Sequence, residues 1–381
     1  MNRILGHISY ENWNAAQTKK DSQGGYEVPL FTDAHVTGEF LKSGPYQFLN
    51  TVAIPGLSGS ITPSVILRVE NYLEISPPSH EEMDHTDDTY YHGGLLHNEI
   101  AGLASLIFGV RFKSGGITRI FEINKDSRGK PVHYEIDKNP ILLKGKKKLI
   151  IPNACRTIRL NDLDQLLRSF PTLTPEDAII LVKASRLYQD ALWIAESEPE
   201  LAWIMFVSAI ETAANHWNKS KATPVEKLNT KNPKLVDILN EKGGITLVEE
   251  VANFVAPYMG ATKKFIDFVL EFLPPEPKNR PAEWARHSWE KNKIKKTLDI
   301  IYDYRSKALH EGKPFPAPMC MVAPVFGGNI SEIPFGYKLS LATAKGGKWV
   351  PEDIPIILHT FEYIVRGVLL RWWTESLIPK K

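Results

Sequence analysis

The stretch from Thr174 to Trp217 constrains the fold more than any other part of the chain. Its first half has the signature of a helix N-terminus, with Thr174 as the capping residue and Pro175 at the first helical position. Its second half, LAWIMFVSAIETAANHW, is apolar nearly all round, and its main mid-helix exception is Glu211. A helix that is apolar on every face is buried by its neighbours. We therefore predict two consecutive helices, with the second one central in a helical bundle.

The chain after residue 165 continues in this helical character. Apolar residues recur at helical spacing in segments separated by breaks such as LPPEPKNRP. These segments predict helices over residues 233–241, 246–272, 282–310 and 352–377, with a loop and a short hairpin over residues 311–350. This part of the chain is therefore predicted to form an all-α bundle of roughly five or six helices.

The first 165 residues have a different pattern. Short runs rich in β-branched and aromatic residues, YEVPLF, YQFLNTVAI and SVILRVENYLEI, alternate with turn-forming clusters. One helix is expected at LLHNEIAGLASLIFGV, and RFKSGGITRIFEI predicts a hairpin around Gly115 and Gly116. The fold class is therefore α+β, with a β-rich N-terminal domain over residues 1–165 and a helical domain over residues 166–381.

Composition excludes few functional classes, but it indicates the compartment. Lys and Arg number 46 against 44 Asp and Glu, a balance that neither demands nor excludes a nucleic-acid partner. The two cysteines are too few for a disulfide framework and too isolated for a metal site. The N-terminus has no apolar signal segment, and the longest apolar stretch, LAWIMFVSAI, is too short to span a bilayer. We expect a cytoplasmic protein without membrane contact.

The segment YDYRSKALHEGKPFP carries the strongest candidate for chemistry. Arg305 continues the apolar stripe of Ile294, Leu298 and Ile301, so its side chain is predicted to face a core, a groove or a partner subunit. Glu211 lies in a helix that is too apolar to face water freely, and a buried carboxylate needs a cation. Arg305 is the candidate for that cation.

His310 follows Arg305 by five residues, and Gly312 and Pro314 are expected to end the helix directly after it. Five residues of an ideal helix turn by about 140° beyond one full turn, so the two side chains cannot share one straight helical face. They can converge if the helix frays at His310 or if a second copy of the protein completes the site. In the simpler alternative, Arg305 is an ordinary ion-pair partner and His310 interacts with the free carbonyls at the helix end.

An Arg-x4-His motif with a polar second residue, late in an all-α bundle, resembles the HEPN superfamily (higher eukaryote and prokaryote nucleotide-binding). The segments WIMFVSAIETAANHW, YRSKALHEG and EDIPIILHTFEYIVRGVLL together look like the Apea-like HEPN branch over roughly residues 165–381. This resemblance implies a metal-independent endoribonuclease that acts as a homodimer and needs no cofactor. By family analogy it also implies a toxin or antiphage effector, whose partners would be RNA and a regulator or antitoxin.

The resemblance assigns roles to individual residues. Arg305 would bind the scissile phosphate and stabilise the charge that develops on it, and His310 would act as general acid or base. Ser306 occupies the polar position after the arginine, where the family often has Asn, and Glu211 matches an acidic position on the earlier helix. RNA supplies the nucleophile, its 2′-OH. The candidate RNA-binding residues precede or flank the motif on the same helix: Lys291, Lys293, Lys295, Lys296 and Tyr302.

Two other interpretations stay open at this stage. The bundle could be a non-catalytic HEPN module that binds nucleotide or RNA, or one that only dimerises. It could also be a structural bundle in which Arg305 and Glu211 form a buried pair. For the lysine run, a solvated surface is the default interpretation.

The stretch SHEEMDHTDDTYYHGGLLHNE is a second candidate site, in this case for a metal ion. It contains His80, His85, His92 and His97 among several acidic residues. Histidine and carboxylate groups are zinc ligands, but these spacings match no metal-binding motif. A solvated acidic loop that leads into a helix is the better interpretation, and we predict no metal site.

Overall fold

The computed structural model describes most of the chain, and its architecture is α+β, as the sequence predicts. An antiparallel sheet lies in the N-terminal part, and the C-terminal part is mainly helical. The described residues are 8–19, 21–41, 44–51, 63–73, 84, 86–122, 127–132, 140, 142, 149–217, 223–255, 260–334, 341–342 and 346–379.

The helices of the described residues are α1 (Ile8–Thr18), α2 (Leu96–Phe108), α3 (Asp164–Leu167), α4 (Pro175–Ile194), α5 (Pro199–Trp217), α6 (Pro224–Lys231), α7 (Pro233–Val255), α8 (Ala261–Glu271), α9 (Lys291–His310) and α10 (Leu358–Trp372). The strands are β1 (Gly25–Phe31), β2 (His35–Thr37), β3 (Tyr46–Asn50), β4 (Pro63–Glu70), β5 (Lys113–Ser114), β6 (Arg119–Phe121), β7 (Lys130–Pro131), β8 (Thr157–Arg159), β9 (Val325–Phe326), β10 (Asn329–Ile330), β11 (Leu341–Ala342) and β12 (Lys348–Trp349).

The main sheet has six strands in the order β3-β4-β1-β6-β7, with β5 also paired to β1. Its pairings are all antiparallel. Val65, Leu67 and Val69 alternate along β4 and are fully buried, so one face of the sheet packs on the core. Smaller pairs complete the strands: β2 with β8, β9 with β10, and β11 with β12. The pair β9–β10 is the short hairpin predicted between residues 311 and 350.

The hairpin predicted around Gly115 and Gly116 is wrong. β5 and β6 flank these glycines, but both strands pair with β1 rather than with each other. The amide of Gly115 donates to the carbonyl of Pro29 in β1 (2.8 Å), so the chain continues along the same edge. Two glycines between two strand-like runs predict a turn if the runs pair with each other. They do not if both runs pair with one longer strand, as they do here.

Helix α2 lies between the sheet and the bundle. It packs against α1, β5, α4 and α10, and all of its residues except Asn98 are buried. One hydrophobic core cluster includes residues of the sheet, of α2 and of the bundle. The division into two domains at residue 165 stays a prediction, because continuous packing does not decide whether each part folds alone.

Helix α1 was not predicted, because its buried face is partly polar. That face consists of Ser9, Tyr10, Asn12 and Trp13. The side-chain amide of Asn12 donates to the carbonyl of Glu70 (2.9 Å), so the buried polar group is satisfied by the end of β4. Polar residues that are buried through distant hydrogen bonds interrupt the apolar periodicity on which helix prediction depends.

Helix α5 is central in the bundle, as predicted. It packs against α4, α8, α9 and α10. Trp203 of α5 is fully buried and stacks between Phe315 and Phe361, with ring centroids 5.0 and 4.7 Å away. The apolar stripe predicted for the last helix is buried as well, up to Trp372. None of the helices in the described segments combines the length and the apolar character that a bilayer crossing requires.

Helix α9 begins at Lys291 rather than near residue 282. The segment before it is held in non-helical form by the buried carboxylate of Glu332. Arg280 donates to both oxygens of Glu332 (2.7 and 2.6 Å), and the amide of His287 donates to one of them (2.7 Å). These tertiary hydrogen bonds replace the backbone hydrogen bonds that a longer helix would have made.

Helix α10 begins at Leu358 rather than at residue 352. The chain before it forms a short 3-10 turn over Pro351–Asp353. Pro355 then disfavours a helical conformation for the residue that precedes it. The helix is α-helical to Trp372 and closes with one π-helical turn, Trp373–Leu377, so the predicted end at residue 377 is confirmed.

The helix predicted over residues 246–272 is interrupted. Its first part belongs to α7, which contains a non-helical break at Gly244 (φ 67°) close to the predicted gap. The α7 helix ends at Val255, and α8 begins at Ala261 after Gly260 (φ 83°). Glycine adopts such left-handed backbone angles without the steric cost that other residues have, and here it separates the helices.

Arg111 is a fully buried cation at the junction of the sheet and the bundle. Its Nη1 donates to Asp33 (2.7 Å), its Nη2 to Glu196 (2.8 Å) and its Nε to the carbonyl of Leu192 (2.8 Å). Asp33 follows β1, whereas Leu192 and Glu196 lie at the end of α4. The two carboxylates compensate the loss of hydration of the guanidinium, so the three charges hold the sheet and α4 together.

Replacing Arg111 by leucine should strongly destabilise the protein. The variant leaves Asp33 and Glu196 largely buried without their cation, and breaking a buried ion pair costs about 3–5 kcal/mol. We expect the free energy of unfolding, from urea titration, to fall by that amount. Arg168→Leu is the control, because Arg168 pairs with Asp164 at the surface (2.6 Å), where a pair contributes less than about 1 kcal/mol. Equal effects of the two substitutions would contradict this role of Arg111.

Glu362 of α10 is a buried carboxyl group that faces α4. The hydroxyl of Tyr188 donates to its Oε1 (2.5 Å). Burial raises the pKa of Glu362 above its usual value, although Tyr188, Arg366 and Arg156 act in the opposite direction. Arg366 also donates from its Nε to the carbonyl of Leu106 near the end of α2 (3.0 Å). This cluster therefore joins α2, α4 and α10 at one point.

The raised pKa of Glu362 makes stability depend on pH. Above the ordinary pKa of 4.5, the unfolded chain releases a proton that the folded chain retains, so the free energy of unfolding falls as pH rises towards the folded pKa. Glu362→Gln cannot ionise. We therefore expect its stability, measured relative to the wild type by urea unfolding, to increase over a series from about pH 4 to pH 8. A constant difference across the series would contradict the raised pKa.

Candidate functional site

The structure brings together three of the predicted site residues, Glu211, Tyr302 and Arg305. The Nη2 of Arg305 donates to Oε2 of Glu211 (2.7 Å), and the hydroxyl of Tyr302 donates to Oε1 (2.7 Å). The guanidinium carbon of Arg305 lies 5.5 Å from the centroid of the Tyr302 ring. One carboxylate thus orients both side chains through charge-assisted hydrogen bonds.

The packing of α9 against α5 positions this group. Ile294, Leu298 and Ile301 are fully buried and anchor α9 in the bundle. Arg305 comes about one turn later on the same face and meets Glu211 of α5. The Arg305 side chain is 21% exposed and that of Glu211 is 14% exposed. The ion pair is the one that the sequence predicts, and it lies at the edge of the core rather than within it.

Two donors of this group are in unusual environments. Burial and the hydrogen bond to Glu211 raise the pKa of Tyr302 well above its usual value, so its hydroxyl stays protonated at neutral pH. The Nε of Arg305 is buried and has no hydrogen-bond partner in the described part of the chain. An unsatisfied buried donor is costly, and a ligand oxygen that reached it would remove that cost.

His310 faces a different direction from Arg305. Helix α9 stays helical through His310, so the alternative in which the helix frays there does not hold. The amide of Glu311 donates to the carbonyl of Lys307 (2.9 Å), and Gly312 follows with a left-handed backbone (φ 66°). On a regular helix, the side chains of Arg305 and His310 leave about 140° apart. His310 is exposed, so it is accessible to a partner or a substrate.

Ser306 is half-buried and follows Arg305 directly in α9. Successive residues of a helix point about 100° apart, so Ser306 lies between the directions of Arg305 and His310. Its chemical role stays a prediction.

The four predicted RNA-binding lysines are all exposed, but they divide into two sets. Lys293 and Lys296 line a cleft of about 310 Å³ beside the first turns of α9, together with Arg286. Lys291 and Lys295 are not among the residues that line it. The lysines therefore surround the helix instead of forming one face. Arg286 was not predicted as a binding residue, because the helix was predicted to begin before it. Its position close to the lysine run was nevertheless a usable signal.

Within the described residues, no three His, Cys, Asp or Glu side chains lie close enough together to hold a metal ion. His92 of the histidine-rich stretch lies 3.1 Å from Glu99, whereas His80 and His85 lie outside the described residues. Burial raises the pKa of the Cys155 thiol to about 12, which makes it a poor nucleophile at neutral pH.

Comparisons of this chain with protein-family models, with curated proteins and with solved structures find no match. The resemblance to the Apea-like HEPN branch therefore rests on the motifs of this sequence alone. The geometry around Glu211, Tyr302 and Arg305 is the remaining basis for a functional assignment.

The Glu211–Arg305 pair should be energetically coupled. A double-mutant cycle with Glu211→Gln and Arg305→Met, measured by urea unfolding, should give a coupling energy of about 1–3 kcal/mol, because the hydrogen bond is charged and largely shielded from water. The Asp303–Lys307 pair on the same helix (2.5 Å) is exposed and serves as the control, with an expected coupling of about 0.5 kcal/mol or less. Equal coupling energies would show that solvent screens both pairs alike.

Proposed function

We propose that this protein is a metal-independent endoribonuclease that acts as a homodimer, with Arg305 and His310 as its catalytic residues. One observation carries this proposal. Glu211 holds the guanidinium of Arg305 in one orientation, while 21% of the side chain stays exposed and Nε has no hydrogen-bond partner in the described residues. An arginine whose guanidinium is held in one orientation, but whose N–H donors are not all used, is suited to bind a phosphate group.

The chemistry needs no group beyond these residues and the RNA. The 2′-oxygen attacks the adjacent phosphorus, the bond from phosphorus to the 5′-oxygen breaks, and a 2′,3′-cyclic phosphate forms. An imidazole nitrogen can accept a proton and later donate it, so His310 can take the proton of the 2′-OH or return one to the 5′-oxygen. Arg305 would stabilise the negative charge that develops on the phosphate oxygens. Ser306 would hydrogen-bond the same phosphate.

A second copy of the chain would resolve the geometry of α9. Arg305 and His310 leave the helix in different directions, so a site that uses both must combine them across two chains or bend the substrate between them. Leu309 supports the first arrangement. It lies one turn after Arg305 on the stripe that packs into the bundle, yet it is 49% exposed. In such a dimer, Leu309 and the incompletely paired Arg305 would lie at the subunit contact.

A non-catalytic module that binds RNA or nucleotide, or only dimerises, is the second candidate. It is favoured by a different observation: Glu211 uses both of its oxygens, one for Arg305 and one for Tyr302. A carboxylate that accepts from both side chains is also what a structural brace between α5 and α9 requires, and such a brace needs no catalysis. The cytoplasmic location, expected from the two cysteines and the N-terminal sequence, belongs to the first proposal. The role as a toxin or antiphage effector, with a regulator or antitoxin, also belongs to it and rests on the family resemblance.

Cleavage of RNA in the presence of EDTA tests the proposal. We expect the wild type to cut RNA and to leave 2′,3′-cyclic phosphate ends, whereas DNA of the same sequence stays intact because it lacks the nucleophile. Arg305→Ala and His310→Ala should each reduce the rate by about 10²–10⁴-fold. His35→Ala is the control for His310, because His35 is also an exposed histidine. RNA binding without cleavage would support the non-catalytic module instead.

Mixing two inactive variants tests whether the site is shared between subunits. If one subunit supplies Arg305 and the other supplies His310, a mixed dimer of Arg305→Ala and His310→Ala has one intact site. Random exchange of subunits should then restore about a quarter of the wild-type activity, since half of the dimers are mixed and each has one working site of two. Mixtures without activity, from variants that dimerise normally, would contradict a shared site.

A further inference from the structure

A cleft at the start of α9 has the size of a small-molecule site. Its volume is about 310 Å³, and its walls come from four parts of the chain: residues 286–288, the first turns of α9, residues 333–334 and residues 351–355. This volume lies near the lower limit for small-ligand pockets, which suits a single nucleotide or a molecule of similar size. Lys296 and Arg305 are nine residues apart, or about 14 Å along the helix, so the cleft is separate from the group around Glu211.

The cleft carries positive charge that the protein does not neutralise with ion pairs. Arg286, Lys293 and Lys296 line it and are exposed. Neither Lys293 nor Lys296 forms an ion pair with the described residues, and Arg286 donates from Nε to the carbonyl of Pro281 (2.6 Å), which orients its guanidinium. Three cations around one small cavity favour a ligand with a phosphate group, because phosphate offers several acceptor oxygens at once.

The cleft also has an apolar wall. It is formed by isoleucine and proline side chains: Ile300, Ile333, Pro334, Pro351, Ile354 and Pro355. Such a wall offers no hydrogen bonds to a bare anion, and it suits the flat, weakly polar face of a nucleobase. Glu352 is the acidic residue among those that line the cleft, and its carboxylate is an acceptor for ribose hydroxyl groups or an exocyclic amine.

His287 contributes a neutral polar group to the cleft. Its Nε2 lies 3.0 Å from the hydroxyl of Thr297, which also lines the cleft. Burial lowers the pKa of His287 to about 4, so the ring is uncharged at neutral pH. The positive charge of the cleft therefore comes from the lysines and the arginine. The histidine–threonine pair adds uncharged polar groups to the lining.

We propose that this cleft binds a nucleoside monophosphate unit, with its phosphate between Arg286, Lys293 and Lys296 and its base against the apolar wall. The unit is either a free nucleotide or the 5′-terminal nucleotide of an RNA strand, since both present the same phosphate and base. The site is separate from the group around Glu211 and uses none of its residues, although Lys293 and Lys296 are also two of the candidate RNA-binding lysines.

Calorimetric titration of the full-length protein with adenosine 5′-monophosphate tests the site. Lys293→Ala/Lys296→Ala should weaken binding by at least about tenfold, because two charged contacts to the phosphate are lost. Lys291→Ala/Lys295→Ala is the matched control, with the same change in charge on the same helix. It should change the affinity by less than about twofold, because exposed charges outside the cleft are screened by salt.

Adenosine and inorganic phosphate, titrated separately, should each bind much more weakly than the nucleotide. Equal weakening by the two lysine pairs would overturn the proposal, since it would indicate general charge attraction. Affinity for adenosine or for phosphate alone equal to that for the nucleotide, or no nucleotide binding at millimolar concentration, would overturn it as well. A 5′-phosphorylated RNA tetranucleotide identifies the source: equal or tighter binding assigns the end of an RNA strand, and weaker binding assigns a free nucleotide.

Discussion

The buried charge of Arg111 is the constraint on which the arrangement of the two parts depends. A guanidinium without solvent contact requires compensating carboxylates, and here they come from opposite sides, Asp33 after β1 and Glu196 after α4. Glu196 also accepts hydrogen bonds from the amides of Ile150 (2.8 Å) and Ile151 (3.1 Å), so the same network fixes the chain that enters the bundle. The sheet, α2 and α4 are thereby held in one relative position, and the bundle that carries α9 is built on that position.

The second charged pair, Glu211 with Arg305, uses the same physics nearer to the surface. A carboxylate in an almost wholly apolar helix needs a cation, and the stripe of α9 delivers one at the edge of the core. Because the pair is incompletely shielded, it can serve both as a brace and as a binding group. The basic cleft lies at the other end of α9, so the two sites that we propose for phosphate binding, one near His310 and one near Lys293, are on one helix.

The sequence predicted the elements whose periodicity is set locally. The strands around YEVPLF, YQFLNTVAI and SVILRVENYLEI, the buried helix α2, the cap of α4 and the central place of α5 are confirmed. Three errors, at α1, at the hairpin and at the start of α9, share one cause, which is hydrogen bonding between residues far apart in sequence. Glu332 holds the chain before α9 out of helical form, and the edge of β1 takes both strands that looked like a hairpin. Such long-range hydrogen bonds leave no periodic pattern in the sequence, so the spacing of residues does not predict them.

By itself, the sequence determined the fold class, the burial of α5 and the pairing of its carboxylate with Arg305, because each follows from the cost of exposing apolar surface or burying an unpaired charge. Only the tertiary structure decided where the pair lies and that Lys293 and Lys296 line a cleft while Lys291 and Lys295 do not. Those outcomes depend on which distant segments meet. Local spacing records which face of a helix is apolar, but it does not record what packs against that face.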